Sequence, residues 1–497
     1  MSPTRHQLRH PGNNPPTDLT VFNGAALLLL PRAALMSLQQ LDCTMATSEY
    51  PPEGSRVKVL VDGPAGETSH LGVILPPTED GFMTLKLDNG YNISHNLSQI
   101  LSIDLISKPE PAIEIEKERM EFDAKLPLVH IIHTGGTIAS KVDYSTGAVV
   151  ARFEPEEMLS AIPELAKIAR IEATKIGNMW SDDMRPQHWN LISQATAEAF
   201  EAGAAGVVVT QGTDTMHMTS CALSLAWSGH GERPPGRIAI TGSQRSSDRG
   251  SSDAAENLMA AVHWAAHGPQ TDGGLGDSVV VIMHSSSEDG RCAVLPGCAV
   301  RKSHSSRRDA FRSINSSIIG EISITRDGPM IELSENYSPS QNRSISLKPT
   351  MFDTNIRIHN LLAGPYLRAE QIDALAQIGG DVIHIQGTGL GHLPIEDPMQ
   401  DAPENVQLKD AILRWNDKGG ITLVSSQCIE GPVNLDVYSK GRIQQEMGII
   451  GHNSRCGPDA AIIKLHWILS QYGKDMEELS EIWQSDLVGE NPQIMNE

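Results

Sequence analysis

Short runs of alternating apolar and polar residues fill the chain from residue 54 to about residue 106. Three such runs span residues 56–61, 70–75 and 82–87. Strict alternation places every second side chain on one face of a strand, so these runs predict half-buried β-strands. Asp88-Asn89-Gly90 then predicts a hairpin, because Asn and Gly accept the positive φ that a two-residue turn requires. The pattern as a whole predicts a small SH3-like β-barrel over residues 50–106.

After residue 126 the pattern changes to continuous apolar runs separated by helical stretches. The apolar runs lie at residues 128–132, 206–210, 237–241 and 278–282, and the helical stretches include residues 186–202 and 252–266. The first of these helices starts with a proline and is followed by Gly203, which are typical start and stop signals. Apolar strands that alternate with helices are typical of a mostly parallel sheet with helices on both faces. We therefore predict an α/β domain over residues 126–340.

A second, smaller α/β unit is predicted over residues 350–475. Its strands are expected at residues 381–385 and 421–425, and its last helix at residues 458–472. The predicted fold class is thus α/β, with two doubly wound parallel-sheet domains preceded by a small barrel. Three segments lack this pattern: residues 1–45, a disordered leader or translation from a start upstream of Met45; residues 107–125, a linker with a short solvated helix; and residues 476–497, a C-terminal tail.

Charge and composition limit what this chain binds by itself. Its 497 residues include 61 acidic and 39 basic residues, a formal net charge of −22, which argues against a large nucleic-acid face. The apolar stretch at residues 24–30 is too short to span a bilayer, so no membrane association is expected. A secretory signal is the weaker interpretation of the same stretch, because its apolar part is shorter than usual. Six scattered cysteines without a C-x-x-C pair favour the reducing cytoplasm.

Polar clusters follow the apolar strands of the first α/β domain. They lie at residues 133–139, 180–184, 210–215, 241–245 and 301–303. Ligands of open α/β sheets bind beyond the carboxyl ends of the strands. A single Gly-Thr turn is usually structural, since Gly serves tight turns and Thr caps helices. Five polar strand ends together make that simpler interpretation much weaker.

The residue types in these clusters suit acyl transfer. A Thr hydroxyl becomes a nucleophile when a base removes its proton, and a desolvated Lys beside a carboxylate is such a base. Thr213, Asp214 and Lys302 supply this set. The glycines Gly135-Gly136 and Gly242 allow backbone N–H groups to approach a developing oxyanion. A serine hydrolase is disfavoured, because the sequence contains no G-x-S-x-G motif.

Two of the clusters resemble the signature motifs of the bacterial-type L-asparaginases. These are Thr134-Gly-Gly-Thr-Ile-Ala139 and Gln211-Gly-Thr-Asp-Thr-Met216, within a resemblance that covers about residues 126–472. The resemblance implies two domains of the asparaginase type and an amidohydrolase site. By motif, it implies Thr137 as nucleophile, Thr213, Asp214 and Lys302 as a second Thr-Asp-Lys cluster, Ser181 and Asp182 as the pair that binds the substrate's α-amino and α-carboxyl groups, and Tyr144 on the mobile loop that closes the site.

Further segments are similar to a narrower family, the D-type subunits of the archaeal glutamyl-tRNA(Gln) amidotransferases. They are the barrel and residues 141–148, 301–311, 387–394 and 425–428. This similarity implies a glutaminase that passes ammonia from glutamine to a partner, the E-type subunit of the amidotransferase. The partner is expected to handle Glu-tRNA(Gln) and to hold ATP and Mg²⁺, so no cofactor is expected in this chain. A homodimer core is expected as well.

Two other functions stay open at this point. A free-standing L-asparaginase that degrades amino acids needs the same site but not the barrel. A scaffold that has lost catalysis is disfavoured, because Thr137, Thr213, Asp214 and Lys302 are all present.

Three other signals have simpler structural interpretations. His130 and His133 lie three apart on a strand and point to opposite faces, so no metal site is predicted there or elsewhere. Residues 387–391 imitate a dinucleotide-binding loop, but the glycine spacing is wrong and a turn is favoured. A basic cluster is expected to pair with local acids, with RNA contact as the alternative. Its members are Arg301, Lys302, Arg307, Arg308 and Arg312.

Overall fold

The structure is a computed structural model that describes most of the chain between residues 50 and 492. The described range excludes residues 65, 78–80, 90, 110–122, 137, 139–140, 144–147, 151–160, 247–249 and 340–341. The predicted leader at residues 1–45 and most of the predicted linker therefore lie outside the described residues.

A five-stranded antiparallel sheet forms the first part of the described chain. Its strands are β1 (Arg56–Gly63), β2 (Gly66–Leu75), β3 (Phe82–Leu87), β4 (Asn92–Asn96) and β5 (Ile100–Ser107), in the order β4-β3-β2-β1-β5. Val57, Val59 and Val61 alternate with exposed positions of β1 and are at most 2 % exposed, because one face of the strand packs into the apolar core of this sheet. The small β module is confirmed, and so is the hairpin between β3 and β4.

A mixed eight-stranded sheet forms the centre of the next domain. Its parallel strands are β6 (Leu128–His133), β9 (Arg170–Lys175), β10 (Gly206–Thr210), β11 (Arg237–Thr241) and β12 (Val279–His284). Its antiparallel strands are β13 (Arg291–Pro296), β16 (Gly320–Thr325) and β17 (Gly328–Leu333). The order across the sheet is β17-β16-β13-β12-β11-β10-β6-β9. The parallel part is confirmed, whereas the antiparallel extension was not predicted.

Helices cover both faces of this sheet, which explains why its strands are apolar throughout. The described helices of this domain are α1 (Leu165–Ile168), α2 (Pro186–Glu201), α3 (Met216–Ser228) and α4 (Ala254–His267). Val207 and Val209 of β10 pack into a cluster around Trp227, whereas Val208 between them packs into a cluster around Trp264. Adjacent strand residues thus enter two separate cores.

Two small β-hairpins lie outside the large sheet. They are β7 (Lys141–Asp143) with β8 (Ala148–Val150), and β14 (Val300–Lys302) with β15 (Phe311–Ser313). The second hairpin positions one of the predicted site residues.

The second α/β domain contains a three-stranded parallel sheet. Its strands are β18 (Ile358–Leu362), β19 (Val382–Gly387) and β20 (Ile421–Ser426), and its helices are α5 (Ala369–Ile378), α6 (Pro403–Asp417), α7 (Ser439–Glu446), α8 (Pro458–Tyr472) and α9 (Met476–Gln484). The predicted α/β class with two such domains is confirmed. None of the helices in the described part of the chain has the length and apolar character needed to cross a bilayer.

The prediction that residues 476–497 form a tail is wrong for the described residues up to 492. Leu479 and Trp483, four residues apart on α9, are 1 % and 2 % exposed. Lys464 Nζ of α8 lies 2.7 Å from Glu490 Oε1, and both side chains are fully buried. This segment is mostly polar, so its sequence does not predict a packed element. In the structure, two buried apolar side chains and one buried ion pair attach it to the domain.

Candidate active site

The carboxyl ends of β6, β10 and β11 lie side by side at one edge of the eight-stranded sheet. Thr210 of β10 is opposite both His133 of β6 and Thr241 of β11, so the polar segments after these strands start at the same level. Thr210 Oγ1 lies 2.8 Å from His133 Nδ1 and connects the first two strand ends. Burial, reinforced by Lys175, lowers the pKa of His133 to about 4, so this imidazole is neutral at pH 7.

Lys302 connects the two side chains of the segment that follows β10. Its Nζ donates to Thr213 Oγ1 at 2.8 Å and to Asp214 Oδ1 at 2.8 Å. The Lys302 side chain is 9 % exposed, whereas that of Asp214 is 66 % exposed. The structure thus brings together three predicted site residues, although Lys302 lies 88 positions after Asp214 in the sequence.

The β14–β15 hairpin carries Lys302 to this place. Lys302 is directly opposite Phe311 in the hairpin register. Phe311 is 4 % exposed and belongs to the apolar cluster around Trp227. Burial of Phe311 therefore holds the hairpin on the first α/β domain and fixes the position from which Lys302 extends.

Glycines allow the polar segments to pack directly on one another. Gly136 has a φ of +89°, and a Cβ at this position would lie 2.6 Å from the backbone nitrogen of Gly212. A Cβ at Gly242 would lie 2.5 Å from the carbonyl oxygen of Gln211 and 2.9 Å from Thr213 Cγ2. A larger residue at either place forces the segments apart. The backbone segments after β6 and β11 therefore both pack against the segment that contains Thr213.

The predicted substrate-binding pair lies on a 3₁₀ turn, Ser181–Asp183, beside the same segment. Ser181 is 2 % exposed, and its Oγ accepts a hydrogen bond from the Asp214 backbone N–H at 3.0 Å. Its carbonyl oxygen accepts from Thr215 Oγ1 at 2.6 Å. Asp182 is exposed to solvent. Ser181 thus fixes the backbone of the segment that contains Thr213 and Asp214, and the exposed Asp182 carboxylate is its neighbour in the chain.

Thr137 and Tyr144 lie outside the described residues, so their predicted roles stay predictions. The structure does describe both chain neighbours of Thr137. Gly136 packs against Gly212, and Ile138 is 6 % exposed within the apolar cluster around Trp264.

Sequence reasoning missed Asp253 and Asn257, which shape the turn after β11. The fully buried Asp253 carboxylate accepts from the backbone N–H groups of Gln244 at 3.0 Å and Arg245 at 2.9 Å. Asn257 Nδ2 donates to the Gly242 carbonyl at 3.0 Å and to Asp253 Oδ2 at 3.0 Å. An Asp just before an Ala-rich helix was the available signal, but it suggests an N-cap. In the structure, Asp253 binds the preceding turn instead.

Most of the predicted basic cluster pairs with acids of the chain itself. Arg301 NH1 lies 2.7 Å from Asp459 Oδ2, and Arg307 NH2 lies 2.6 Å from Asp309 Oδ2. Arg308 pairs with Asp289. With Lys302 bound to Asp214, four of the five cations are compensated locally, as expected from the simpler interpretation.

One group of potential metal ligands is found among the described residues. Glu256, His284 and Asp289 place one ligand atom each within 4.8 Å of one another. His284 Nε2 lies 3.1 Å from Glu256 Oε2. Asp289 of this group also pairs with Arg308.

The Thr213–Lys302–Asp214 arrangement suits proton transfer at a hydroxyl. The Lys302 Nζ lies 2.8 Å from the Thr213 hydroxyl, a distance that allows proton transfer between a lysine base and a hydroxyl, and Asp214 lies where it stabilises an ammonium. Ser181 and Asp182 add a hydroxyl and a carboxylate beside this group, and their predicted binding of a substrate stays a prediction.

Two family models match the α/β part of the chain. The model described as asparaginase, N-terminal, matches residues 128–334, and the glutaminase/asparaginase C-terminal domain matches residues 357–483. Curated relatives match over a longer stretch. The D-type subunit of the glutamyl-tRNA(Gln) amidotransferase of Pyrococcus furiosus is 36 % identical over 441 residues, which cover 88 % of this chain and 94 % of the relative. The chain belongs to this family.

Other members of the D-type family match to a similar extent. The protein of Methanothermobacter thermautotrophicus is 37 % identical over 436 residues, covering 87 % of this chain and 92 % of its own. In both cases the aligned stretch is longer than the part of this chain that follows residue 106. Each alignment therefore includes part of the N-terminal β module. The family resemblance therefore extends beyond the two asparaginase-type domains.

Solved asparaginases share the α/β part. The L-asparaginase of Thermococcus kodakarensis superposes with a TM-score of 0.59 at 27 % identity and covers 74 % of this chain and all of its own. L-asparaginase I of Vibrio cholerae gives a TM-score of 0.58 at 26 % identity, with 74 % and 99 % covered. These matches confirm the asparaginase type of the two α/β domains.

Proposed function

We propose that this chain is the glutaminase component of a glutamyl-tRNA(Gln) amidotransferase. It hydrolyses glutamine and supplies ammonia to a partner, the E-type subunit, which amidates Glu-tRNA(Gln) with ATP and Mg²⁺. The observation that carries the proposal is the pair of 2.8 Å contacts from Lys302 Nζ to Thr213 Oγ1 and Asp214 Oδ1, because they form a base beside a hydroxyl in an amidohydrolase family. The names of the D-type relatives support the amidotransferase context.

In the proposed mechanism, Thr137 attacks the side-chain carbonyl carbon of glutamine. Its hydroxyl proton passes through Thr213 to the neutral Lys302 amine, and Asp214 stabilises the ammonium. The C–N bond of the tetrahedral intermediate then breaks, and the leaving nitrogen takes the proton and departs as ammonia. Water attacks the acyl-threonine ester and gives glutamate and free Thr137. The packing of Gly136 against Gly212 supports this arrangement, since a peptide bond joins Thr137 to Gly136.

The remaining predicted residues orient the substrate. Ser181 and Asp182 hold the α-carboxyl and α-amino groups of glutamine, so that its amide reaches the threonine. Tyr144 closes the site when the substrate is bound. No cofactor takes part in these steps, and the site uses no metal ion.

The N-terminal β module serves the complex rather than the chemistry. The D-type relatives share part of it, whereas the asparaginases of known structure match only 74 % of the chain. We propose that it positions this chain beside the tRNA-bearing partner, since a chain with a net charge of −22 is poorly suited to hold RNA itself. The complex works in the cytoplasm, around a homodimer of this chain.

A steady-state ammonia assay tests the function. The purified chain is supplied with glutamine or asparagine, first alone and then with the E-type partner and Glu-tRNA(Gln). We expect slow glutamine hydrolysis by the chain alone and strong stimulation by the complete system. Ammonia released without the acceptor is wasted, so the site should become fully competent only when the partner and Glu-tRNA(Gln) are bound. Fast, partner-independent hydrolysis of asparagine favours a free-standing asparaginase and overturns the proposal.

A further inference from the structure

Asp459 of the second α/β domain contacts both elements that flank the Thr213–Lys302–Asp214 group. Its Oδ2 lies 2.7 Å from Arg301 NH1 and 3.2 Å from His217 Nε2. Arg301 is the chain neighbour of Lys302 on β14, and His217 lies in the first turn of α3, directly after the segment of Thr213 and Asp214. One carboxylate oxygen therefore bridges the two pieces of chain that must meet for the base to form.

Strand geometry explains how a contact at Arg301 affects Lys302. Adjacent side chains on a strand point to opposite faces, so Lys302 extends toward Thr213 while Arg301 extends away from it, toward Asp459. β14 has only three residues and pairs with β15 alone in its two-stranded sheet. Burial of Phe311 holds one face of this hairpin, and the pair of Arg301 with Asp459 holds the other. An ion pair on the outer face therefore helps to fix the direction of Lys302 on the inner face.

The position of Asp459 is itself well defined. It lies in the first turn of α8, where the helix dipole favours a negative charge. Helices α3 and α8 share an apolar core that includes Ala222 and Trp467, which are 0 % exposed. This core keeps Asp459 within reach of His217 and Arg301.

The charges around Asp459 keep it ionised. Burial acts to raise the pKa of Asp459, but His217 and Arg301 outweigh this and hold it below its ordinary value. His384 also faces the carboxylate, but burial lowers the pKa of His384 to about 4, so it is neutral at pH 7. Arg301 is thus the permanent positive charge that Asp459 compensates.

We infer that Asp459 is a positioning residue for Lys302, acting through Arg301 and His217. The second α/β domain thereby determines whether the base of the first domain is correctly placed. The inference rests on the proposed glutaminase function, which it deepens by naming a residue in the other domain on which the reaction depends.

The test compares Asp459→Asn with the unchanged full chain, assayed together with the partner and Glu-tRNA(Gln). We expect kcat for ammonia release to fall about 10-fold to 100-fold with KM nearly unchanged, because displacing a base by even one ångström is that costly. Asp459→Glu, which keeps the charge, should recover part of the loss. The double variant Asp459→Asn/Arg301→Met should lose no more than the more damaging single variant, since both act through one contact.

Two pH-dependent measurements separate positioning from a general loss of structure. In Asp459→Asn, the uncompensated Arg301 disfavours a positive charge on Lys302, so the rising limb of kcat/KM should move to lower pH by a few tenths of a unit. In Arg301→Met it should move the other way. Acetylation of Lys302, followed by peptide mass spectrometry, should show the same two shifts without any need for glutaminase activity.

Asp381→Asn is the matched control, because it breaks another ion pair of the same domain, Lys474 to Asp381 at 2.7 Å, far from Lys302 in the chain. Its kcat and Lys302 acetylation should equal those of the unchanged chain. The inference is overturned if folded Asp459→Asn keeps full kcat, or if neither pH profile moves. If Asp459→Asn does not fold, Arg301→Met and Asp459→Glu decide by the same measurements. Absence of ammonia release by the unchanged complex contradicts the proposed function alone, since the acetylation profiles still test the inference.

Discussion

The two α/β domains place glycine-rich turns at the carboxyl ends of parallel strands, but they use them differently. In the first domain, the turn after β10 directs Thr213 and Asp214 toward Lys302. In the second domain, the turn after β19 is tied back on itself, because Thr388 Oγ1 donates to the His392 carbonyl at 3.2 Å. The polar side chains after β20 are also bound to backbone. Gln427 Nε2 donates to two carbonyls at 2.6 and 2.8 Å.

This difference shows that a polar strand end becomes a candidate active site only when its side chains meet a base instead of nearby carbonyls. The first domain supplies that base from a separate hairpin, β14–β15. The second domain has no corresponding lysine among its described contacts at the β19 and β20 turns. Its proposed contribution is indirect, through Asp459. The following changes test this division of labour.

Thr137→Ala should have the largest effect. Amide hydrolysis should fall about 10³-fold or more with the fold intact, because the acyl transfer loses its attacking oxygen. The ammonia assay measures the rate and circular dichroism confirms the fold. Near-full activity in a folded variant rules out Thr137 as the nucleophile and leaves Thr213 as the candidate.

Lys302→Met should come next, with a loss of about 10² to 10³-fold in kcat and little change in KM. The substitution keeps the bulk of the side chain but removes the amine that accepts the proton. A rapid-quench experiment should show that no acyl-enzyme accumulates. Arg312→Met, at an exposed position of the same hairpin, serves as the control and should be fully active. Survival of turnover in Lys302→Met places the base elsewhere.

Glu490→Gln should lower the free energy of unfolding by about 3 to 5 kcal/mol, since it leaves the buried Lys464 ammonium without its partner. Burial acts to raise the pKa of Glu490, but Lys464 holds it below its ordinary value. The stabilisation is therefore present above the unfolded-state pKa and is lost as pH falls through the lower folded-state pKa. Urea unfolding measures the change. As a control, Asp373→Asn breaks the exposed pair with Arg414 and should lower the free energy of unfolding by less than about 1 kcal/mol. An equal loss in both variants contradicts a larger contribution from the buried pair.

Asp486→Asn should alter the pH dependence of stability. Burial, followed by the charge of Glu490, raises the pKa of Asp486 to about 7, so the folded state holds this proton more tightly than the unfolded state. Stability therefore falls as pH rises from about 4 to 7 and then levels off. Urea unfolding gives the free energy of unfolding at pH 5 and at pH 8. Its decrease between these two pH values should be about 1 to 2 kcal/mol smaller in the variant than in the unchanged chain, because Asn retains an acceptor oxygen but does not titrate. Equal decreases in both proteins contradict this assignment.

Thr388→Ala should have the smallest effect. The threonine is exposed and makes its bond within its own turn, so unfolding should change by less than about 1 kcal/mol and ammonia release should not change. A clear loss of activity with an unchanged melting temperature contradicts the division of labour between the two domains.

Much of the fold was predictable because the strands of the first α/β domain are buried on both faces. The apolar runs at β10 and β11 predict those strands to the residue, and Pro186 marks the start of α2. The antiparallel strands β13, β16 and β17 escaped prediction, since they mix apolar residues with charged and polar ones. The segment after residue 475 escaped for a related reason. Its burial depends on contacts with α8 that local composition does not reveal.

The sequence alone determined the fold class, the family resemblance and the identity of the candidate chemistry, because residue types and their local spacing encode strands, turns and motifs. Only the tertiary structure decided that Lys302 meets Thr213 and Asp214, that Asp253 binds the turn before its helix, and that Asp459 contacts Arg301 across the domains. Each of these contacts depends on the direction of one side chain at the end of a particular strand or helix. For Lys302 and Asp459, that direction is set by the packing of elements far apart in the chain, which no local pattern records.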